Sequence, residues 1–258
     1  PSENFEIAEK IASTISSFKA GAGHDLADRL NDCWPIHPVT ACLLGPLSRR
    51  RFGQNQRSVF GFLNSAEPLA FQQFLISTPS GSGETYTASR LWEYLRANLE
   101  PSILASPDGH RWSLAVDAVE RCDSKGASSL HLEMLKTIAL IDLFKDRSGL
   151  VPSESVIHCA FPKVGKAALA SALDDLKAWS TIIYRKHTDS YSIYAGSDFD
   201  IDAAVEEELA RIPFVDLSRL RALAPLHPVL AKRHHHTSGT LPQPERRLLP
   251  FVVQNRQI

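Results

Sequence analysis

Apolar residues recur at threes and fours along most of this chain, the spacing that lines one face of a 3.6-residue helix. Phe5, Ile7, Ile11, Ile15 and Phe18 set a first helix over residues 3–20, which Gly21 and Gly23 end. A short helical stretch over 25–33 leads into Pro35-Ile36-His37-Pro38. There the two prolines impose an extended approach, and Pro38 suits the first turn of the next helix. That helix is expected over 39–52, broken or kinked at Gly45-Pro46, with Arg49, Arg50 and Arg51 in its last turn and Gly53 as its stop. The arginines complement the negative end of the helix dipole.

Val59, Phe60, Phe62 and Leu63 predict another apolar helix, and 69–76 continues after Pro68 with Phe71, Phe74 and Leu75 on one side. This aromatic-rich stretch is expected to be buried. Residues 78–83 (TPSGSG) read as a loop, followed by helices around Leu91, Trp92, Leu95 and Leu99, then around Trp112, Leu114, Ala115 and Val119. Up to residue 124 the pattern predicts helices only.

The second half differs. Leu130, Met134, Ile138 and Ile141 mark a strong helix, residues 152–160 a short one, and 166–179 a third. In the third, Leu169, Ala172, Leu173 and Leu176 stand at i, i+3, i+4 and i+7. Thr181 to Tyr184 and Tyr191 to Tyr194 then read as two short β-branched and aromatic strands, joined by the polar turn His187-Thr188-Asp189-Ser190. Three helices followed by a hairpin is the order of a winged helix. Amphipathic helices are expected over 201–211 and, more weakly, over 217–223. After Gly239 the pattern dissolves. The expected fold is therefore mainly α: a helical, lid-like bundle over 1–124, a winged-helix module with a short β-hairpin over 125–213, and a linker with a disordered tail over 214–258.

Composition narrows the class. The 258 residues are 43% hydrophobic and 22% charged, with a formal net charge of -1, as in ordinary globular proteins. Balanced charge removes the simplest electrostatic case for a nucleic-acid or membrane partner. No apolar run is long enough to span a membrane, and the chain lacks a signal-peptide layout. Cys33, Cys42, Cys122 and Cys159 form no C-x-x-C pair, so reduced thiols and a cytoplasmic location are expected. Because Pro1 stands where an initiating Met would, and a helical pattern begins almost at once, a piece of a longer chain is expected.

Motifs that carry chemistry are sparse. No G-x-x-x-x-G-K-[ST] phosphate loop is present: Gly81-Ser82-Gly83 lacks the lysine, and Gly165-Lys166-Ala167 lacks the glycine spacing and the hydroxyl. No nucleophile elbow stands in the sequence. Asp198, Asp200 and Asp202 open like a calcium loop, but Ala203 and Leu209 occupy the turn-glycine and bidentate-glutamate positions. Those aspartates read instead as caps of the following helix. His234, His235 and His236 are consecutive, with no carboxylate or Cys beside them, so no metal site is assigned. The heptapeptides starting at Pro35 and Pro225 echo one another (PIHPVTA and PLHPVLA), which two similar helix starts explain.

Two sets of basic residues remain. Arg49, Arg50, Arg51 and Arg57, with Gln54, Asn55 and Gln56 among them, could grip phosphate oxygens bidentately. Lys163 and Lys166, with Arg185 and Lys186 on the expected wing, could touch nucleic acid. Against base reading, the third helix also carries Asp174 and Asp175 and few side chains suited to base edges.

The run from Pro35 to Leu63, PIHPVTACLLGPLSRRRFGQNQRSVFGFL, resembles a segment of large bacterial ATP-binding proteins of the AAA+/STAND P-loop kind. Ser190 to Asp202 is similar to the end of their winged helix, and Arg233 to Leu241 to the start of a further domain. The resemblance covers residues 26–241 and ends in the Pro/Arg-rich tail. It implies a lid that closes over ATP and a winged helix that passes nucleotide state to an effector, in restriction or phage-defence systems. ATP and Mg2+ would bind only through an upstream P-loop core, the expected intramolecular partner, within a homo-oligomer. Arg57 would touch the nucleotide phosphate, with Arg49, Arg50 and Arg51 next. No catalytic residue is assigned to this chain, and a stand-alone winged-helix DNA-binding regulator is the competing class.

Overall fold

In the computed structural model, the residues described are 3–18, 25–49 and 59–196. The helices expected over 201–211 and 217–223, the Asp198 to Asp202 series, the His234 to His236 run and the tail lie outside them. The order is α1 (Glu3–Phe18), α2 (Leu26–Asp32), α3 (Pro38–Arg49), α4 (Val59–Asn64), α5 (Phe71–Ser77), α6 (Ala88–Leu104) and α7 (Gly109–Ser124). There follow α8 (Ser129–Ser148), α9 (Glu154–Ala160), α10 (Lys166–Ala178), β1 (Ile182–Arg185), a 3-10 turn (Lys186–Thr188) and β2 (Ser190–Ile193). The described residues are thus mainly helical, with one two-stranded antiparallel sheet in which Ile182 faces Ile193 and Arg185 faces Ser190.

Helix α8 is the axis of the packing. Met134, Leu135, Ile138, Ala139, Leu140, Ile141, Leu143 and Phe144 are all buried, so the helix is apolar nearly all round, as a helix enclosed by others must be. It packs on α3, α6 and α7 on the bundle side and on α9, α10 and β2 on the other. One hydrophobic core therefore runs through both halves of the described chain, from Ile11 and Leu43 to Leu173 and Ile182. The start of α8 is fixed by Ser128, whose backbone N–H donates to His131 Nδ1 at 3.1 Å. Its end is fixed by Gly149 at φ 74°, the left-handed conformation that glycine adopts without steric cost.

Polar contacts bind the hairpin to this axis. Ser192 Oγ donates to Asp142 Oδ1 at 3.3 Å, and Tyr191 N–H donates to the Pro152 carbonyl at 2.9 Å. The Asp142 carbonyl meanwhile accepts from Arg111 of α7 at 2.6 Å. One residue thus joins bundle, axis and hairpin. On α10, Leu169, Ala172, Leu173 and Leu176 are buried, as their spacing predicts, while His131 Nε2 meets Asp175 Oδ2 at 3.2 Å.

A second feature is aromatic. Phe62, Phe71, Phe74, Tyr86 and Tyr94 pack edge to face and tilted, with Phe62 to Tyr94 ring centroids 5.0 Å apart. Leu75 departs from the expectation of burial: it is 41% exposed, because α5 turns only the Phe71 and Phe74 side inward. Helix α3 continues past Gly45-Pro46 as a single helix to Arg49.

The α6–α7 turn carries a prediction. A Cβ on Gly109 would lie 2.2 Å from the Leu104 carbonyl oxygen, a backbone atom with no freedom to swing away. Gly109→Ala is expected to cost about 1–3 kcal/mol through overpacking. Gly61→Ala, in α4 with nothing near its Cβ, is expected to stabilise by about 0.5–1 kcal/mol. Urea midpoints of the two variants check the pair; equal shifts of the same sign would refute the argument.

Candidate functional site

The segment linking α2 to α3 begins the site. Pro35 enters through a cis peptide bond after Trp34, and Ile36 pairs in parallel with Tyr86. Tyr86 N–H donates to the Pro35 carbonyl at 2.8 Å, and His37 N–H donates to the Tyr86 carbonyl at 3.1 Å. These bonds seat His37 beside Thr87, the N-cap of α6. Because Pro38 opens α3 without an N–H, His37 becomes its cap: Nδ1 accepts the Val39 N–H at 3.2 Å.

That contact fixes the tautomer. With Nδ1 accepting, the neutral ring carries its proton on Nε2, which is buried. His37 is 4% exposed. Burial disfavours the imidazolium and pushes its pKa down to about 4, opposed only in part by the Cys159 backbone.

Around His37 opens a cavity of about 670 Å³. Its walls come from α1 (Glu3, Asn4, Ile7), Trp34, the residues leading into α6 (Gly83, Glu84, Thr85, Thr87, Ser89, Arg90) and Glu93. Helix α8 adds Glu133 and Lys136, and the α9–α10 turn adds Phe161, Pro162, Lys163 and Val164. Two ion pairs stand in the wall: Lys136 Nζ to Glu93 Oε1 at 2.5 Å and Arg90 to Glu84 at 3.5 Å. Arg90 also lies over the Phe74 ring at 5.1 Å.

This wall does not fit a nucleoside triphosphate. Gly81 and Gly83 have positive φ, but the loop carries Glu84 rather than a lysine, and four carboxylates face three cations around the cavity. Among the described residues no group of three His, Cys, Asp or Glu side chains could hold a metal ion. Cys42 and Cys122 do not supply a nucleophile either. Burial raises the Cys42 thiol to about 12 and the Cys122 thiol to about 11, so neither ionises near neutral pH.

Of the basic residues singled out in the sequence, Lys163 lines the cavity. Lys166 opens α10 and is exposed, Arg185 ends β1, and Lys186 sits in the exposed 3-10 turn; these three do not line it. Arg49 ends α3, while Arg50, Arg51 and Arg57 lie outside the described residues. Trp34, His37, Glu93, Glu133 and Lys136 carried no site assignment in the sequence. The one local signal is His37 between two prolines at a helix start.

Among the described residues no helix is long and apolar enough to cross a membrane. No protein-family model matches the chain, and no curated protein or solved structure is significantly similar to it.

Proposed function

We propose that this chain is the lid and transmitting end of a nucleotide-driven bacterial switch of the AAA+/STAND kind. In this reading α8, α9, α10 and the β1–β2 hairpin form a winged helix, and α1 to α7 belong to the lid. The observation that supports it best is the shared axis. Asp142 receives Arg111 from α7 on its carbonyl and Ser192 from β2 on its carboxylate, so displacement of the bundle carries the hairpin with it. A loose tether would dissipate such a movement; a common core cannot.

The triphosphate itself belongs elsewhere in the protein. These 258 residues contain no phosphate-cradling loop, so ATP and Mg2+ are held by an upstream core outside them, with Arg57 reaching the phosphate and Arg49, Arg50 and Arg51 supporting it. In the complete gene product, Arg57→Ala is expected to lower ATP hydrolysis at least about tenfold or to alter the oligomeric state. Unchanged hydrolysis with an unchanged oligomer would dismiss the role.

A stand-alone DNA reader is the less favoured reading. The exposed side of α10 presents Ala167, Ala168, Ala170, Ser171 and Asp174, and Lys177 is paired to Asp174 at 2.7 Å. Such a face offers little to base edges and suits close packing against protein. Sequence-selective, salt-dependent retention of duplex without ATP would reverse the preference.

A further inference from the structure

Residues 79–85, between α5 and α6, are suspended from two fixed points. At one end Thr78 N–H donates to the Phe74 carbonyl at 3.0 Å; at the other Tyr86 N–H donates to the Pro35 carbonyl at 2.8 Å. Tyr86 is 1% exposed and its hydroxyl donates to the Leu69 carbonyl at 2.8 Å, which anchors that end in the aromatic cluster. Between the two points the hydrogen bonds are internal among the described residues. Ser82 N–H donates to the Pro79 carbonyl and Glu84 N–H to Ser82 Oγ, both at 3.2 Å. Residues 79–84 are all exposed, and Gly81 and Gly83 stand at φ 82° and 68° with open space where a Cβ would lie. Glycine takes such angles without steric cost, so the span turns freely at both.

One ion pair ties this span to the body. Glu84 meets Arg90 of α6 at 3.5 Å, with both side chains about half exposed. Arg90 is itself held: its N–H donates to Thr87 Oγ1 at 3.4 Å, and its guanidinium lies over the Phe74 ring at 5.1 Å. When the pair breaks, Glu84 is therefore the side that moves. An exposed pair contributes little and is screened by salt, so the held and released positions lie close in free energy.

Gly83, Glu84 and Thr85 are also part of the wall of the cavity around His37. Other parts of that wall are rigid: Ser89 and Glu93 lie on α6, Glu133 and Lys136 on α8, and Lys136 joins Glu93 at 2.5 Å between these packed helices. Release of the span thus changes the opening of the cavity and leaves its helical walls in place. A volume of about 670 Å³ lies in the range of small-ligand sites, where hinged loops admit a ligand and then exclude water. We propose that residues 79–85 are a flap that opens and closes this cavity, latched shut by Glu84 on Arg90.

The test measures, in the full chain, the distance between nitroxide labels on Ser80→Cys and Lys163→Cys. Both positions are exposed, and Cys33, which is exposed too, is replaced by serine. Glu84→Gln and Arg90→Gln are each expected to raise the ratio of the longer to the shorter distance about twofold to fivefold. The exchanged pair Glu84→Arg with Arg90→Glu is expected to return that ratio to the wild-type value. Amide exchange at Thr78 and Tyr86, the two anchors, is expected to stay unchanged in every variant. An unchanged ratio in the single variants, no recovery in the exchanged pair, or faster exchange at the anchors overturns the proposal.

Discussion

Replacing Trp92 with alanine is expected to destabilise the chain by about 3–5 kcal/mol, a large share of the total stability of an ordinary domain. Trp92 and Trp112 are both fully buried and stacked, with centroids 4.3 Å apart and planes at 21°. They join α6 to α7 beside the central helix, so truncation leaves a void in the buried core. The two indoles differ in one respect that sharpens the test. Trp112 Nε1–H donates to Glu100 Oε1 at 3.0 Å, whereas the Trp92 Nε1–H has no acceptor among the described residues. Trp92→Phe removes an unmade donor and keeps an aromatic ring, so it should cost less than Trp112→Phe, which strips Glu100 of its partner. Urea unfolding of the three variants decides it, and a harsher effect from Trp92→Phe than from Trp112→Phe would contradict the packing described.

Acid should weaken the fold through His37. Its folded pKa, about 4, lies below the ordinary imidazole value of 6.5, so the unfolded chain takes up a proton that the folded chain refuses. Stability from this group is complete above pH 6.5, falls as the pH drops and levels off below about 4. The loss over that window amounts to about 3 kcal/mol. His37→Asn retains a side-chain oxygen to cap the Val39 N–H and removes the titrating ring. The difference in urea midpoint between wild type and His37→Asn should therefore shrink from pH 7 to pH 4.5; parallel profiles would show that the ring is not held neutral.

Where local pattern decides structure, the sequence was informative. The spacing of Leu169, Ala172, Leu173 and Leu176 marks the buried side of α10, and Pro38 marks the first turn of α3. The two strands were legible from Thr181 to Tyr184 and Tyr191 to Tyr194 because β-branched and aromatic residues flank a polar turn. Leu75 shows the limit: an apolar residue at a plausible spacing faces outward, since α5 is too short to bury two sides.

The cavity was not legible for a different reason. Trp34, Glu93, Glu133 and Lys163 come from elements far apart in sequence, and no periodicity records that α8 brings them together. His37 held a partial signal, since a histidine before a helix-opening proline is placed to cap it through Nδ1. That its ring lies buried beside the Cys159 backbone depends on α9, which is distant in sequence. Gly109 is similar: its need for glycine arises from the Leu104 carbonyl above it, which only the fold of the α6–α7 turn positions.

The proposed switch requires that nucleotide state reach the hairpin through the α8 axis. Deuterium uptake of the complete gene product, measured with and without ATP and Mg2+, tests it most directly. ATP is expected to change uptake at residues 49–58 and, together with it, along α8 and the β1–β2 hairpin. A change confined to residues 49–58, or no change in any of these segments, would contradict it.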